Sequence, residues 1–215
     1  MRLRAARLPL TIALAACTAA ALAQIQPGRE FLRLDPPHAS AVAEARMEVI
    51  EFFYYGCPVC YETQPGLTQW LATAPRDVAV RRVPALSSEK WEPYAKLFYA
   101  LESLGQIDRL HWPIYDAIHF WDIKLDDETA IADWAVRNGI ERQNFLGAYG
   151  SAEVAAKVAG ARELLKSYDV RGVPTFIVDG KFLTSARLAG GTKEVIGVVD
   201  QLVKLAREER ARQSH

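Results

Sequence analysis

Hydrophobic residues fall into runs of distinct period along the chain. The densest lies in residues 47–55, where Val49, Ile50, Phe52, Phe53, Tyr54 and Tyr55 are nearly continuous. Such a run predicts a strand covered on both faces. Gly56 ends it, and a helix begins at Cys57 with Pro58 in its first turn, where a missing N–H costs nothing. Cys60, Gln64, Leu67 and Leu71 follow at helical spacing. After Pro75-Arg76-Asp77, the alternation of Val78, Val80 and Val83 predicts another strand. A weaker alternation in Phe31-Leu32-Arg33-Leu34 gives a short strand that stops before Pro36-Pro37.

Helical periods then take over. Trp91, Tyr94, Phe98 and Leu101 make one stripe; Ile107, Leu110, Ile114, Ile118 and Trp121 make a second. A third helix starts near Asp126-Asp127, carries Ile131, Trp134 and Ala135, and stops at Asn138-Gly139. Phe145 and Leu146 belong to a short helix before the stripe Val154, Val158, Ala161, Leu165 and Tyr168. Strand character returns over residues 174–178, turns at Asp179-Gly180 and comes back through residues 181–184. Gly190-Gly191-Thr192 leads into a last helix, with Thr192 as N-cap, Val195, Val199, Leu202 and Ala206 inward, and fraying after Glu208. The class is therefore α/β. One β/α domain is built from residues 24–86 and 171–215, with a helical domain, residues 87–170, inserted between its halves.

Charge narrows the partners. The 26 basic and 26 acidic residues cancel, which offers nothing to a nucleic acid or an anionic membrane surface. The first 23 residues stand apart. Arg2, Arg4 and Arg7 precede an apolar run over residues 8–21, and Ala21-Leu22-Ala23 is a small-x-small cleavage site. These features make a secretory signal peptide rather than a spanning helix, for which the run is short. Leu14-Ala15-Ala16-Cys17 also resembles a lipoprotein processing site, so the exported protein is expected to be soluble or, alternatively, anchored through Cys17.

Export changes the meaning of the remaining cysteines, Cys57 and Cys60. In an oxidising compartment structural disulfides usually link distant segments. This pair closes a loop of only four residues, which adds little stability in the chain-entropy model, so the pair is read as reactive. A buried strand delivers Cys57 to a helix N-terminus, whose unpaired N–H groups and dipole favour the thiolate. Cys60 lies one turn on. Cys57 is the expected exposed nucleophile and Cys60 the more buried resolving thiol. A zinc site would need about four ligands; there is no second Cys pair, and His38, His111, His119 and His215 lack metal spacing.

Glu51-Phe52-Phe53, Cys57-Pro58-Val59-Cys60-Tyr61 and Arg171-Gly172-Val173-Pro174-Thr175 together resemble the DsbA family of periplasmic disulfide oxidases, within the wider thioredoxin fold. The resemblance covers nearly the whole chain after the leader, including the helical insertion. It implies that Val173-Pro174 is a cis peptide facing the cysteines, with the Val173 backbone open to substrate. It also matches Glu51 to an acidic residue beneath the disulfide. Glu51 is the only charged residue among residues 49–55; buried and unpaired it has a raised pKa and relays a proton to or from Cys60, whereas turned to water it does neither. Pro58-Val59 departs from the best-known family pattern, which has histidine before the second cysteine. Valine offers a Cys57 thiolate no charge or hydrogen bond, so a milder oxidant is expected. Tyr54, Tyr55 and Tyr61 flank the site as either a surface for unfolded chains or packing.

The expected activity is donation of a Cys57–Cys60 disulfide to newly exported, reduced proteins, through a mixed disulfide and without a small-molecule cofactor. The resemblance implies reoxidation by a quinone-linked membrane oxidase similar to DsbB. Nothing calls for more than a monomer. The same residues would serve a reductase or isomerase, although residues 24–46 are too few for the extra dimerisation domain of DsbC-like isomerases. From a different class, a peptide-binding chaperone would not need either thiol.

Overall fold

The computed structural model describes residues 25–43 and 46–213. The signal-peptide reading of residues 1–23 and the Cys17 alternative lie outside the described residues.

Five strands form one sheet: β1 (Leu32–Arg33), β2 (Met47–Phe53), β3 (Val78–Pro84), β4 (Thr175–Val178) and β5 (Phe182–Ser185), in the order β1-β5-β4-β2-β3. Only β2 and β3 pair in parallel, with Glu51 opposite Arg82; β4 lies antiparallel to β2, β5 to β4 and β1 to β5. The β2–β3 crossover is α1 (Pro58–Thr73), as a parallel pair requires. Between β3 and β4 come α2 (Glu92–Ser103), α3 (Ile107–His119), α4 (Glu128–Arg137), α5 (Arg142–Tyr149) and α6 (Ala152–Ser167). After β5 follow a four-residue α7 (Ala186–Ala189) and the long α8 (Val195–Gln213).

β2 is buried at all seven positions because both faces of the sheet are covered. Met47 and Val49 pack with Leu67 and Trp70 of α1 and with Val195, Val199 and Leu202 of α8. Ile50 and Phe52 face the opposite way, into a core with Leu97, Ile114, Ile131 and Phe145 of the helical block. Strand alternation therefore sends Glu51 to the α1 side and not to water. Asp179-Gly180 turns the β4–β5 hairpin with φ of 55° and 61°, the positive values for which Asp-Gly is suited.

Four sequence expectations change. Trp121 is not part of an inward stripe: α3 stops at His119, Asp122 adopts φ 50°, and Trp121 is 67% exposed. Leu34 and Tyr55 lie beyond their strands. The last helix begins at Val195, because Gly190 is left-handed and residues 192–194 form a turn, so Thr192 is not its N-cap. Its end does not fray at Glu208 but runs to Gln213, held by ion pairs of Arg207 with Asp77, Arg210 with Asp179 and Glu209 with Arg33.

Candidate active site

Cys57 is the N-cap of α1, in extended conformation, with Pro58 behind it in the first turn. The strand reaches it through a tight turn in which Cys57 N–H donates to the Tyr54 carbonyl at 3.0 Å. Both cysteines are free thiols; Cys57 is half-buried and Cys60 fully buried. The Cys60 backbone N–H donates to Cys57 Sγ at 3.4 Å, and Cys57 Sγ lies 3.6 Å from the Val173 carbonyl oxygen. The Val173-Pro174 peptide is cis. Thus Val173 and Pro174, distant in sequence, are brought against the segment Cys57-Pro58-Val59-Cys60.

The two thiols have opposed environments. A hydrogen bond from the Cys60 thiol, with help from the backbone N–H groups of Cys60 and Val59, holds Cys57 down to about 6 against the opposing effect of burial. Burial, followed by the hydrogen bond and charge of Cys57, pushes Cys60 far up. The arrangement can keep one thiolate at the helix end and one neutral thiol beneath it.

Glu51 is fully buried, as its strand position dictates, but it is not unpaired. Gln64 Nε2 donates to Glu51 Oε1 at 2.7 Å, and Arg82 Nε lies 3.3 Å from Oε2, within ion-pair range but misaligned for a hydrogen bond. The cross-strand register places Arg82 there, and the helical spacing from Cys60 places Gln64. Burial still outweighs both partners and raises the carboxyl pKa.

The three flanking tyrosines divide. Tyr54 stacks on Trp91 at 4.0 Å and 3°. Tyr55 is buried, with its hydroxyl 2.8 Å from His111 Nδ1 and its carbonyl 2.8 Å from His119 Nε2. Tyr61 stacks on His119 and donates to Asp116 at 3.0 Å. Sequence reading weighed His111 and His119 only as metal ligands; the structure uses them to join α3 to the segment before Cys57. The signal was present: His111 and Tyr115 stand four and eight residues after Ile107, on the buried face of α3. Among the described residues, no group of three His, Cys, Asp or Glu is placed to hold a metal. A groove of about 1010 Å³ opens beside Val59, Tyr168, Val173, Pro174, Leu183 and Leu188. The resemblance had placed only Val173 and Pro174 against the cysteine segment; no pattern in the sequence pointed to the walls formed by Tyr168, Leu183 and Leu188.

The sequence profile described as DSBA-like thioredoxin domain matches residues 82–194. The thiol:disulfide interchange protein DsbA of Azotobacter vinelandii is 37% identical over 185 residues, 86% of each chain. DsbA of Burkholderia cepacia is 34% identical over 205 residues, 93% of this chain and 97% of the relative. The crystal structure of Pseudomonas aeruginosa DsbA aligns with a TM-score of 0.80 at 33% identity, covering 87% of this chain and 96% of that one.

Proposed function

The chain belongs to the DsbA family of thiol:disulfide interchange proteins, with a thioredoxin fold and an inserted helical domain, and on that premise we propose how its residues carry out disulfide exchange. The observation that carries the reading is the division of labour between the cysteines: Cys57 sits at a helix N-cap with its thiol held at about 6, and Cys60 lies buried and strongly disfavoured as a thiolate.

The resting enzyme holds the Cys57–Cys60 disulfide. A substrate thiolate attacks Cys57 Sγ, and the bond's electron pair passes to Cys60 Sγ. The Glu51 carboxyl, whose pKa burial raises, is the group that passes a proton to that sulfur. A second substrate thiolate then attacks the substrate sulfur of the mixed disulfide. Cys57 departs as a thiolate stabilised by the α1 N-terminus, so the substrate leaves oxidised and the enzyme as a dithiol. Val173 offers its backbone to the extended substrate chain, and Pro174 keeps that backbone against Cys57. Pro58 and Val59 shape the first turn. No small-molecule cofactor takes part.

The substrates are reduced or unfolded proteins newly exported to the periplasm, where a cleaved signal peptide delivers the enzyme. A quinone-linked membrane oxidase similar to DsbB reoxidises it, and the working unit is a monomer. The domain limits are proposed at residues 24–86 and 171–215 around an insert of residues 87–170.

Equilibration with glutathione buffers tests the direction of the reaction. A Cys57–Cys60 potential well above the about −270 mV of thioredoxin supports disulfide donation. A thioredoxin-like value reverses the assignment to a reductase, whose electron donor would then have to be sought.

A further inference from the structure

Burial and bonding disagree at Arg82. Its side chain is only 22% exposed, yet its one ion-pair contact is with Glu51 Oε2, 3.3 Å from Nε and out of line for a hydrogen bond. Nε is buried without a partner, and among the described residues neither terminal nitrogen of Arg82 makes a hydrogen bond. A guanidinium carries five N–H donors in a planar fork and keeps its charge at any physiological pH. Leaving such donors unmet in a largely buried place lowers stability, so they call for an acceptor. Whenever Glu51 takes up a proton, Arg82 loses even that one counter-charge.

Arg82 opens onto a pocket with room for one. The pocket has a volume of about 350 Å³, lies between β3, α2 and α6, and shares no residue with the groove beside Val59. The other charges around it are already matched. Arg81 Nε donates to the buried Glu48 at 2.9 Å, and Lys157 pairs with both Glu102 and Glu153 at 3.0 Å. Glu102, which lines the pocket, is thereby neutralised and does not repel an anion. Arg82 is the lining cation whose donors remain unused. The same pocket has an apolar wall of Val83, Ala161 and Leu164.

We propose that this pocket binds a small organic carboxylate, its two oxygens on the Arg82 guanidinium and its apolar body against Val83, Ala161 and Leu164. Both chemistry and size fit. Guanidinium and carboxylate bond through two parallel N–H···O contacts, and the volume lies at the lower end of the range for small-molecule sites. Inorganic phosphate would satisfy the same fork but leave the apolar wall uncovered. Binding here needs neither cysteine, so the site stands or falls apart from the exchange cycle. Its occupant nevertheless shares Arg82 with Glu51.

Benzoate and inorganic phosphate are the probes, each titrated into the native protein and followed by NMR of isotope-labelled backbone amides. Benzoate should saturate, shift amides of β3, α2 and α6, and bind at least about fivefold more tightly than phosphate, because its ring covers apolar surface. Gly160 of α6 also lines the pocket, and a Cβ there meets nothing within 4 Å. Gly160→Leu therefore fills the space without a clash. It should melt at the same or a higher temperature, since glycine is a poor helix former, and weaken benzoate binding at least about tenfold. Arg82→Met keeps the bulk, removes the fork and should weaken binding as much. Native protein that shows no saturable benzoate binding overturns the proposal, as does phosphate binding as tightly as benzoate. Binding within about twofold of native in folded Arg82→Met overturns it too. The same result in Gly160→Leu is equally decisive, even if Arg82→Met fails to fold.

Discussion

At the scale of single residues, the site is governed by what surrounds each sulfur. Cys57 is held at about 6 chiefly by the Cys60 thiol and by backbone N–H groups. Val59, 38% exposed in the first turn, contributes no side-chain donor. Alkylation of the reduced protein should therefore follow a titration centred near pH 6. Val59→His should move the midpoint lower and the reduction potential higher, each ~30 mV corresponding to about 1.4 kcal/mol of stabilised dithiol form. An unchanged potential would show that backbone groups already saturate Cys57. Glu51 works through the other sulfur. Its raised pKa lets it hold a proton above the usual carboxylate range, so Glu51→Gln, which cannot release one, should slow exchange and remove the fall in rate that accompanies ionisation of the carboxyl as pH rises. A profile identical to native removes Glu51 from the proton path.

Elements bring these residues together, and some of that was legible beforehand. The continuous apolar run before Cys57 announced a doubly covered strand, and Pro58 announced the helix start, so the redox pair could be placed at a strand–helix junction from sequence. The partners of Glu51 were hidden. Arg82 becomes its neighbour through the β2–β3 register, which no local pattern specifies, although Gln64 was visible one helical turn beyond Cys60. The groove beside Val59 was hidden for the same reason, since its walls come from four separate segments. α7 was missed because four residues are too few for a helical period, and the end of α8 because its ion pairs are long-range. The junction has its own strict requirement at Gly56. A Cβ there would lie 2.5 Å from the Tyr54 hydroxyl and 2.6 Å from the ring carbon bearing it, while Trp91 stacks on that ring. Gly56→Ala should thus displace the stacked pair and cost ~1–3 kcal/mol, the usual range for overpacking. Urea denaturation measures it; a native midpoint would mean that Tyr54 moves aside freely.

For the molecule as a whole, the chemistry at one junction becomes a difference in stability between two redox forms. The disulfide closes too small a loop to restrain the unfolded chain much. The dithiol form, by contrast, folds around a Cys57 whose pKa falls from about 9 to about 6. A depressed acid binds fewer protons in the folded state, so the stability of the reduced form rises with pH through this window. The contribution is largest as pH approaches the unfolded thiol value and disappears as pH falls through about 6. Cys60 works the other way: ionising at its ordinary value only when unfolded, it erodes the advantage above about pH 8.5. Reduced protein should therefore resist guanidinium better than oxidised protein near pH 8, and the gap should narrow steadily toward pH 5. Oxidised protein that is the more stable at every pH would place the couple among reductants, because the fold would then favour keeping the disulfide over giving it away.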